Sequence, residues 1–518
     1  MSPTIQPLPE FSSRATENPP IKLQPWKRLS NLGKLMILIG IVVLIPILTL
    51  PFFPEEWHYA PAFAWPGLAS ILLGLLHSAL FRQDIVYTSN RPHEFHKSSV
   101  IVVFTWIWGF LVGALPFVLS RQLRFVQALF ESVSGFTTTG LSVMDVSLVP
   151  KSFLFYRSFM QYCGGLGFVL VMLLIVSNKR SMDLFNAEGH PDKLQPNLSK
   201  TAHAIMGMYV SFLAIGTLAY VLCGMDFFDS LNHSMCALST GGFSTKLNSI
   251  GDYHSLSIDF VTFLLMIVGT TNFAVLHLFV KGKWRKFFKV SEMRFFALLL
   301  LISTLLCGIN LAKAFNWSIA EGMHQALFNT SSALSTTGYS TLSYANWPEF
   351  SIGILTVLML VGGGIGSTAG GLKLSRVYIM LRVITMHTKQ RWWPNRRVTV
   401  HYYTRAQGKS KIDTTLCMET LAFVTCYLVF FFIGSLLLTV TSDATWTQAM
   451  FEFASSLGTV GLSIGITGPS TNDATLWVEI VGMFMGRLEI FIVIVGCCSA
   501  YKALKDGIKN LIKPRLAA

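Results

Sequence analysis

The stretch ALFESVSGFTTTGLS (128–142) returns three times in altered form, as SLNHSMCALSTGGFS (230–244), ALFNTSSALSTTGYS (326–340) and AMFEFASSLGTVGLS (449–463). Aligned without gaps, the four share columns. Gly140, Gly242, Gly338 and Gly461 fall together. Three residues earlier stand Thr137, Ser239, Ser335 and Gly458, and nine residues earlier Glu131, His233, Asn329 and Glu452. Each stretch has about a dozen residues of helical composition and then a Thr/Ser/Gly run. That is too short to cross a hydrocarbon core of about 30 Å, which takes about 20 helical residues. Glycine spacings of 102, 96 and 123 mark an internal repeat of span, half-helix and span.

Non-helical backbone survives at membrane depth only where it lines water or is buried in protein. A short helix entering the bilayer aims its carbonyl end, about half a negative charge, at the centre. Four extended runs around one axis then make a carbonyl-lined tube that can replace the hydration shell of a monovalent cation. Glycine suits such a run because it reaches backbone angles that other residues avoid. A single run would pass for a polar turn between helices; four aligned runs on one side favour a pore.

The rest of the chain supplies the setting. Its 518 residues are 52% hydrophobic and only 13% charged, with 40 Phe and 12 Trp. Mean hydropathy is positive, +0.54. This composition describes an all-α, multi-spanning membrane protein. Ten apolar segments qualify as spans: 33–53, 61–81, 99–119, 152–177, 203–225, 256–280, 293–315, 350–383, 413–440 and 474–504. Lys and Arg divide 33 to 5 between the two sides, with Arg157 and Arg487 inside spans. That asymmetry predicts both termini in the cytoplasm and the four short stretches outside. The net charge of +14 is then a property of cytoplasmic loops rather than a nucleic-acid surface. The first 32 residues are polar and Pro-rich, unlike a cleavable signal.

The expected organisation is a tail (1–32), a two-span addition (33–98) and pore repeats at 99–180, 201–282 and 293–385. A basic loop (386–411), a fourth repeat (412–505) and a tail (506–518) follow. The eight cysteines form no C-x-x-C pair, and His93 and His96 lie on a charged loop, so no metal centre is indicated. No G-x-S-x-G, H-E-x-x-H or intramembrane acid pair suggests an enzyme; a polytopic transferase and a non-conducting receptor are the alternatives outside the transporter class.

The eighth segment reads LVGGGIGSTAGGLKLSR (360–376). Gly362, Gly363, Gly364, Gly366, Gly370 and Gly371, with Ser367 and Thr368, predict a broken helix facing the water-filled path. Read as a nucleotide loop it fails, because no strand precedes it and Lys373 comes one place late for a phosphate loop. Arg487, in FMGRLEIF, is costly near the centre of a span and should face the path or a partner; Glu489, two residues on, points elsewhere.

The motifs GFTTTGLS, ALSTGGFST, SALSTTGYSTL and SSLGTVGLS resemble the Trk/Ktr/HKT superfamily of cation transporters over residues 99–505. The two extra N-terminal spans are most similar to the bacterial Trk-type potassium uptake subunits (TrkH/TrkG). The resemblance implies a potassium selectivity filter of backbone carbonyls from Thr138, Thr139, Thr240, Gly241, Thr336, Thr337, Thr459 and Val460, beside Gly140, Gly242, Gly338 and Gly461. Sodium-preferring plant members carry Ser where this chain has Gly140, so potassium is implied over a sodium-permeable pore of the same fold. It further implies that residues Gly362 to Gly371 gate the path from below and that Arg487 limits flow there. Lys373 matches a family lysine, or snorkels to the inner surface. The implied setting is a bacterial inner membrane and a homodimer with one pore per protomer. A cytoplasmic TrkA-type regulatory subunit would bind nucleotide, the chain itself carrying no cofactor. The basic loop also suits anionic lipid headgroups. Channel-like and proton- or sodium-coupled flux both fit these residues. Glu131 and Glu452 would attract cations or bond internally; His233 reads as a hydrogen-bonding residue.

Overall fold

The computed structural model describes residues 29–81, 91–167, 198–392 and 401–512. The predicted N-terminal tail lies largely outside these residues, as do the last residues of the C-terminal one (513–518), the end of the fourth segment (168–177) and the centre of the basic loop (393–400). So do the side chains of His93 and His96.

The chain is an all-α membrane protein. Helix α1 (Asn31–Leu44) starts at Ser30, whose hydroxyl accepts from Gly33 N. It continues as 3-10 turns through Ile45–Phe52 and Pro54–Tyr59 to α2 (Ala60–Leu80). The two helices touch along glycines: a Cβ on Gly40 would meet Gly67 O at 2.5 Å, and one on Gly74 would meet Gly33 O at 2.6 Å. Small residues at such contacts let backbones approach in a bilayer. Trp108 Nε1 donates to Ser70 Oγ at 2.9 Å and joins α2 to α3 (Arg91–Leu119).

Four units follow. The first is α3, short α4 (Phe125–Phe136) and α5 (Lys151–Leu166). The second is α6 (Leu198–Leu222), short α7 (Phe227–Leu238), α8 (Leu256–Thr270) and α9 (Phe273–Val280). After α10 (Trp284–Phe287), the third is α11 (Ser291–Phe315), short α12 (Ile319–Ser335), α13 (Glu349–Leu360) and α14 (Leu374–Trp392). The fourth is α15 (Thr414–Thr441), short α16 (Trp446–Gly458), α17 (Asp473–Arg487) and α18 (Ile490–Ile512). The short helices are buried on nearly every face, and their flanking helices put apolar side chains outward, as lipid contact requires.

Six described helices are long and apolar enough to cross alone. The eighth segment is interrupted between Leu360 and Leu374, where its glycines lie. Two others correct the reading of continuous spans. Segment 256–280 bends by 116° between α8 and α9, and segment 474–504 by 103° between α17 and α18. At the first bend Asn272 caps α9, its Oδ1 accepting from Ala274 N at 2.7 Å. At the second Glu489 adopts a left-handed φ of 58°. Arg487 therefore ends a helix instead of sitting mid-span. The basic loop is corrected too: α14 extends to Trp392, and an antiparallel hairpin, β1 (Tyr402–Arg405) and β2 (Gly408–Lys411), packs Tyr403 against Ile379 and Ile412.

Candidate ion pathway

Each short helix ends in the same way. In the first, Thr138 N donates to Gly135 O (3.1 Å) and Thr139 N to Ser134 O (2.9 Å). Thr240 and Gly241, Thr336 and Thr337, and Thr459 and Val460 repeat both bonds at 2.8–3.2 Å. This is the Schellman termination, whose left-handed position glycine normally holds. Here threonine holds it four times, with φ of 57°, 52°, 55° and 50° at Thr138, Thr240, Thr336 and Thr459. A β-branched residue in that region is strained by about 1–3 kcal/mol, and such strain gathers at functional sites. The next residue but one is the column glycine, again at positive φ, from 74° to 99°.

The four runs close on one another in order. A Cβ on Gly140 would lie 2.1 Å from Gly241 O, one on Gly242 2.1 Å from Thr337 O, one on Gly338 1.9 Å from Val460 O, and one on Gly461 2.3 Å from Thr139 O. First touches second, second third, third fourth, and fourth first. The carbonyls of Thr139, Gly241, Thr337 and Val460 thus form one closed level, and the glycines are required by close approach as well as by φ. The same four glycines line an open bowl of about 340 Å³.

A second column holds the runs from behind. Glu131, His233, Asn329 and Glu452 each hydrogen-bond a hydroxyl beyond the glycine: Ser142 (3.1 Å), Ser244 (3.0 Å), Thr341 (2.9 Å) and Ser463 (2.6 Å). Glu131 and Glu452 are fully buried and bond internally rather than facing the bowl. Glu131 pairs with buried Arg157, whose guanidinium also donates to Ser142 Oγ at 2.7 Å and stacks 4.1 Å from the Phe243 ring. Glu452 and Glu479 both lie within reach of Thr467 Oγ1, at 2.6 and 2.9 Å. The expectation of no intramembrane acid pair is corrected by that contact.

Beneath the ring runs the glycine-rich loop, 361–373. Gly362 N donates to Leu372 O (2.8 Å) and Leu374 N to Gly363 O (3.0 Å), pinching its base. Gly370 N donates to Thr336 Oγ1 at 3.0 Å, and a Cβ on Gly370 would fall 1.9 Å from Thr459 Oγ1. Thr368 Oγ1 lies 3.2 Å from Thr240 Oγ1. The loop therefore touches the left-handed threonines of three units. Thr138 Oγ1 and Thr459 Oγ1 are buried without a protein hydrogen-bond partner.

Arg487 holds the loop from the fourth unit. Its Nη1 donates to Thr368 O at 2.6 Å, and its Nη2 to Gly164 O at 2.6 Å and Gly165 O at 3.2 Å. Gly366, Ser367, Gly371, Lys373 and Arg487 line a cavity of about 30 Å³, room for little more than a water molecule. Lys373 Nζ is turned back onto Ala369 O at 2.5 Å. Arg376 pairs with Glu489 at 2.9 Å and ties α14 to the bend before α18. Sequence reasoning missed this pair and also Gln161, a buried amide behind Gly241. It missed a third glycine set as well. Cβ atoms on Gly164, Gly269 and Gly486 would strike carbonyls at the ends of the short helices, Phe136 O, Leu238 O and Leu457 O, at 2.0, 2.7 and 1.9 Å. A second gapless alignment, of the helices after the runs, would have exposed it.

The comparisons agree with this architecture. The family model TrkH, described as a cation transport protein, matches residues 68–500. The Trk system potassium uptake protein TrkH of Vibrio parahaemolyticus is 31% identical over 437 residues, 80% of this chain and 89% of that protein. An uncharacterized cation transporter of Methanocaldococcus jannaschii is 26% identical over 474 residues, 91% of this chain and 94% of that protein. The crystal structure of the potassium transporter TrkH from Vibrio parahaemolyticus superposes with a TM-score of 0.78 at 27% identity, covering 91% of this chain and 98% of that one. With four reentrant units in the chain and a family match over most of its length, the chain belongs to the TrkH family of cation transport proteins.

Proposed function

We propose that this chain takes up potassium across the bacterial inner membrane as the pore subunit of a Trk-type system. The observation that carries the reading is the closed ring in which Gly140, Gly242, Gly338 and Gly461 each abut the next unit's carbonyl. An ion sheds water in the bowl, passes the ring of Thr139, Gly241, Thr337 and Val460 carbonyls, and meets the threonine hydroxyls below. Main-chain oxygens at one level replace its hydration shell. The carbonyl ends of four short helices make the site negative without a buried carboxylate facing the ion.

The loop from Gly362 to Gly371 closes the path beneath this filter, and Arg487 holds it shut while opposing cations with its own charge. Lys373 adds a second positive charge at the same level. The units 99–180, 201–282, 293–385 and 412–505 surround the pore, and the spans within 33–98 brace the first of them. Both termini and the basic face lie in the cytoplasm. There the exposed Lys281, Lys283, Arg285, Lys286 and Lys289 suit anionic lipid or a TrkA-type, nucleotide-binding subunit. The chain works as a homodimer with one path per protomer.

The test is growth at limiting potassium of a bacterium lacking its own uptake systems, with and without a regulatory subunit and with sodium in competition. Restored growth is expected. Membrane-inserted protein that restores none, and that passes no alkali ion in liposomes, would reject the reading.

A further inference from the structure

The four runs differ at the residue between threonine and glycine: Thr139, Gly241, Thr337 and Val460. Gly241 alone has no side chain, and another unit fills the space. A Cβ on Gly241 would fall 2.4 Å from Cδ of Gln161, a fully buried residue of α5. The Gln161 amide makes two bonds to the second run. Its Nε2 donates to Gly241 O at 2.6 Å, and its Oε1 accepts from Phe243 N at 3.1 Å. Donating to one carbonyl and accepting from the N–H two residues on is the pattern one residue of a neighbouring parallel strand would make. The clamp is itself anchored. Arg157 lies one turn earlier on the same face of α5, stacked on the Phe243 ring and paired with Glu131.

Gly241 O is also one of the four ring oxygens, the one that Gly140 faces. Among the described residues, no side chain donates to Thr139 O, Thr337 O or Val460 O. The ring therefore has one tethered corner and three untethered ones. A tether acts on ion choice in two ways. It resists the inward movement that a smaller ion demands, and it draws electron density from the oxygen, weakening its field. Cavity size and carbonyl field strength are the two accounts of potassium-over-sodium choice, and both put this corner on the side of the larger ion.

We propose that Gln161 is a specificity-determining residue, holding the Gly241 carbonyl so that the ring favours potassium over sodium. The inference rests on reading the ring as a potassium filter. The test uses purified wild-type, Gln161→Leu and Gln161→Glu proteins in liposomes, with potassium and sodium fluxes measured on the same preparations. Leucine removes both bonds. Glutamate, with fluxes read at alkaline pH so that it is ionised, keeps an acceptor for Phe243 N and loses the donor to Gly241 O. Both should lower the potassium-to-sodium permeability ratio about fivefold, the factor that about 1 kcal/mol of lost hydrogen bond gives. An unchanged ratio in Gln161→Glu overturns the proposal. So do monodisperse variants whose two fluxes fall together, since a merely structural role moves both alike. A wild-type protein that passes no potassium overturns the filter reading instead.

Discussion

Arg487 Nη1 donates to the carbonyl oxygen of Thr368 at 2.6 Å, while the Thr368 hydroxyl reaches the carbonyls of Leu238 (3.0 Å) and Gly269 (2.9 Å). One residue of the third unit's loop is thereby fastened to the second and fourth units at once. A loop of glycines has little stiffness of its own, so its position depends on these fastenings.

Arg487→Ala removes the fastening to the fourth unit and the positive charge together. Charge-assisted hydrogen bonds contribute about 1.5–3 kcal/mol each. Basal potassium flux in liposomes, without any regulatory subunit, should rise about tenfold or more. Flux equal to wild type would show that the contact does not hold the path closed.

Gly140→Ser places a Cβ 2.1 Å from Gly241 O and forces a non-glycine residue to φ 93°. The neighbouring carbonyl must give way, so the ring loses its shape at one corner. Sodium permeation relative to potassium should rise severalfold, read as sodium inhibition of growth at limiting potassium.

Gly370→Ala tests the seat of the loop, since its Cβ would fall 1.9 Å from Thr459 Oγ1 and 2.5 Å from Gly458 O. The loop should be displaced from the ring, raising basal flux. Gly353→Ala, on an exposed face of α13 with nothing within 4 Å, is the control. It should leave flux alone and raise thermal stability by at most about 1 kcal/mol, the helical difference between the two residues.

The Glu131–Arg157 pair is buried, with side chains 0% and 2% exposed. Removing one partner strands a charge, which costs about 3–5 kcal/mol, whereas an apolar pair of similar size is far milder. In detergent melts Arg157→Leu and Glu131→Leu should each lower the midpoint more than the double variant does. A double variant that is the least stable of the three would contradict this account of the pair.

The column of glycines was legible because every run must pass its neighbour's carbonyl at a distance that leaves no room for a Cβ. The broken eighth segment was legible because six glycines in an apolar stretch cannot sustain a helix. The bends at Asn272 and Glu489 were hidden. Their flanks, MIVG with FAVLH and MFMG with IFIV, are as apolar as any continuous span, and the bends depend on what packs against them. Gln161 was missed because nothing near it in the sequence marks it; its partner is 80 residues away. The hairpin at 402–411 was obscured by the charge of its surroundings, and its turn at Ala406 and Gln407 carries none of the usual turn residues.

A pore assembled from four identical subunits receives every substitution in quadruplicate. Here the corners are Thr139, Gly241, Thr337 and Val460 on a single polypeptide. A mutation alters one quadrant and the neighbour it abuts, and spares the rest. A single substitution can therefore reshape part of the orifice without sacrificing the whole of it.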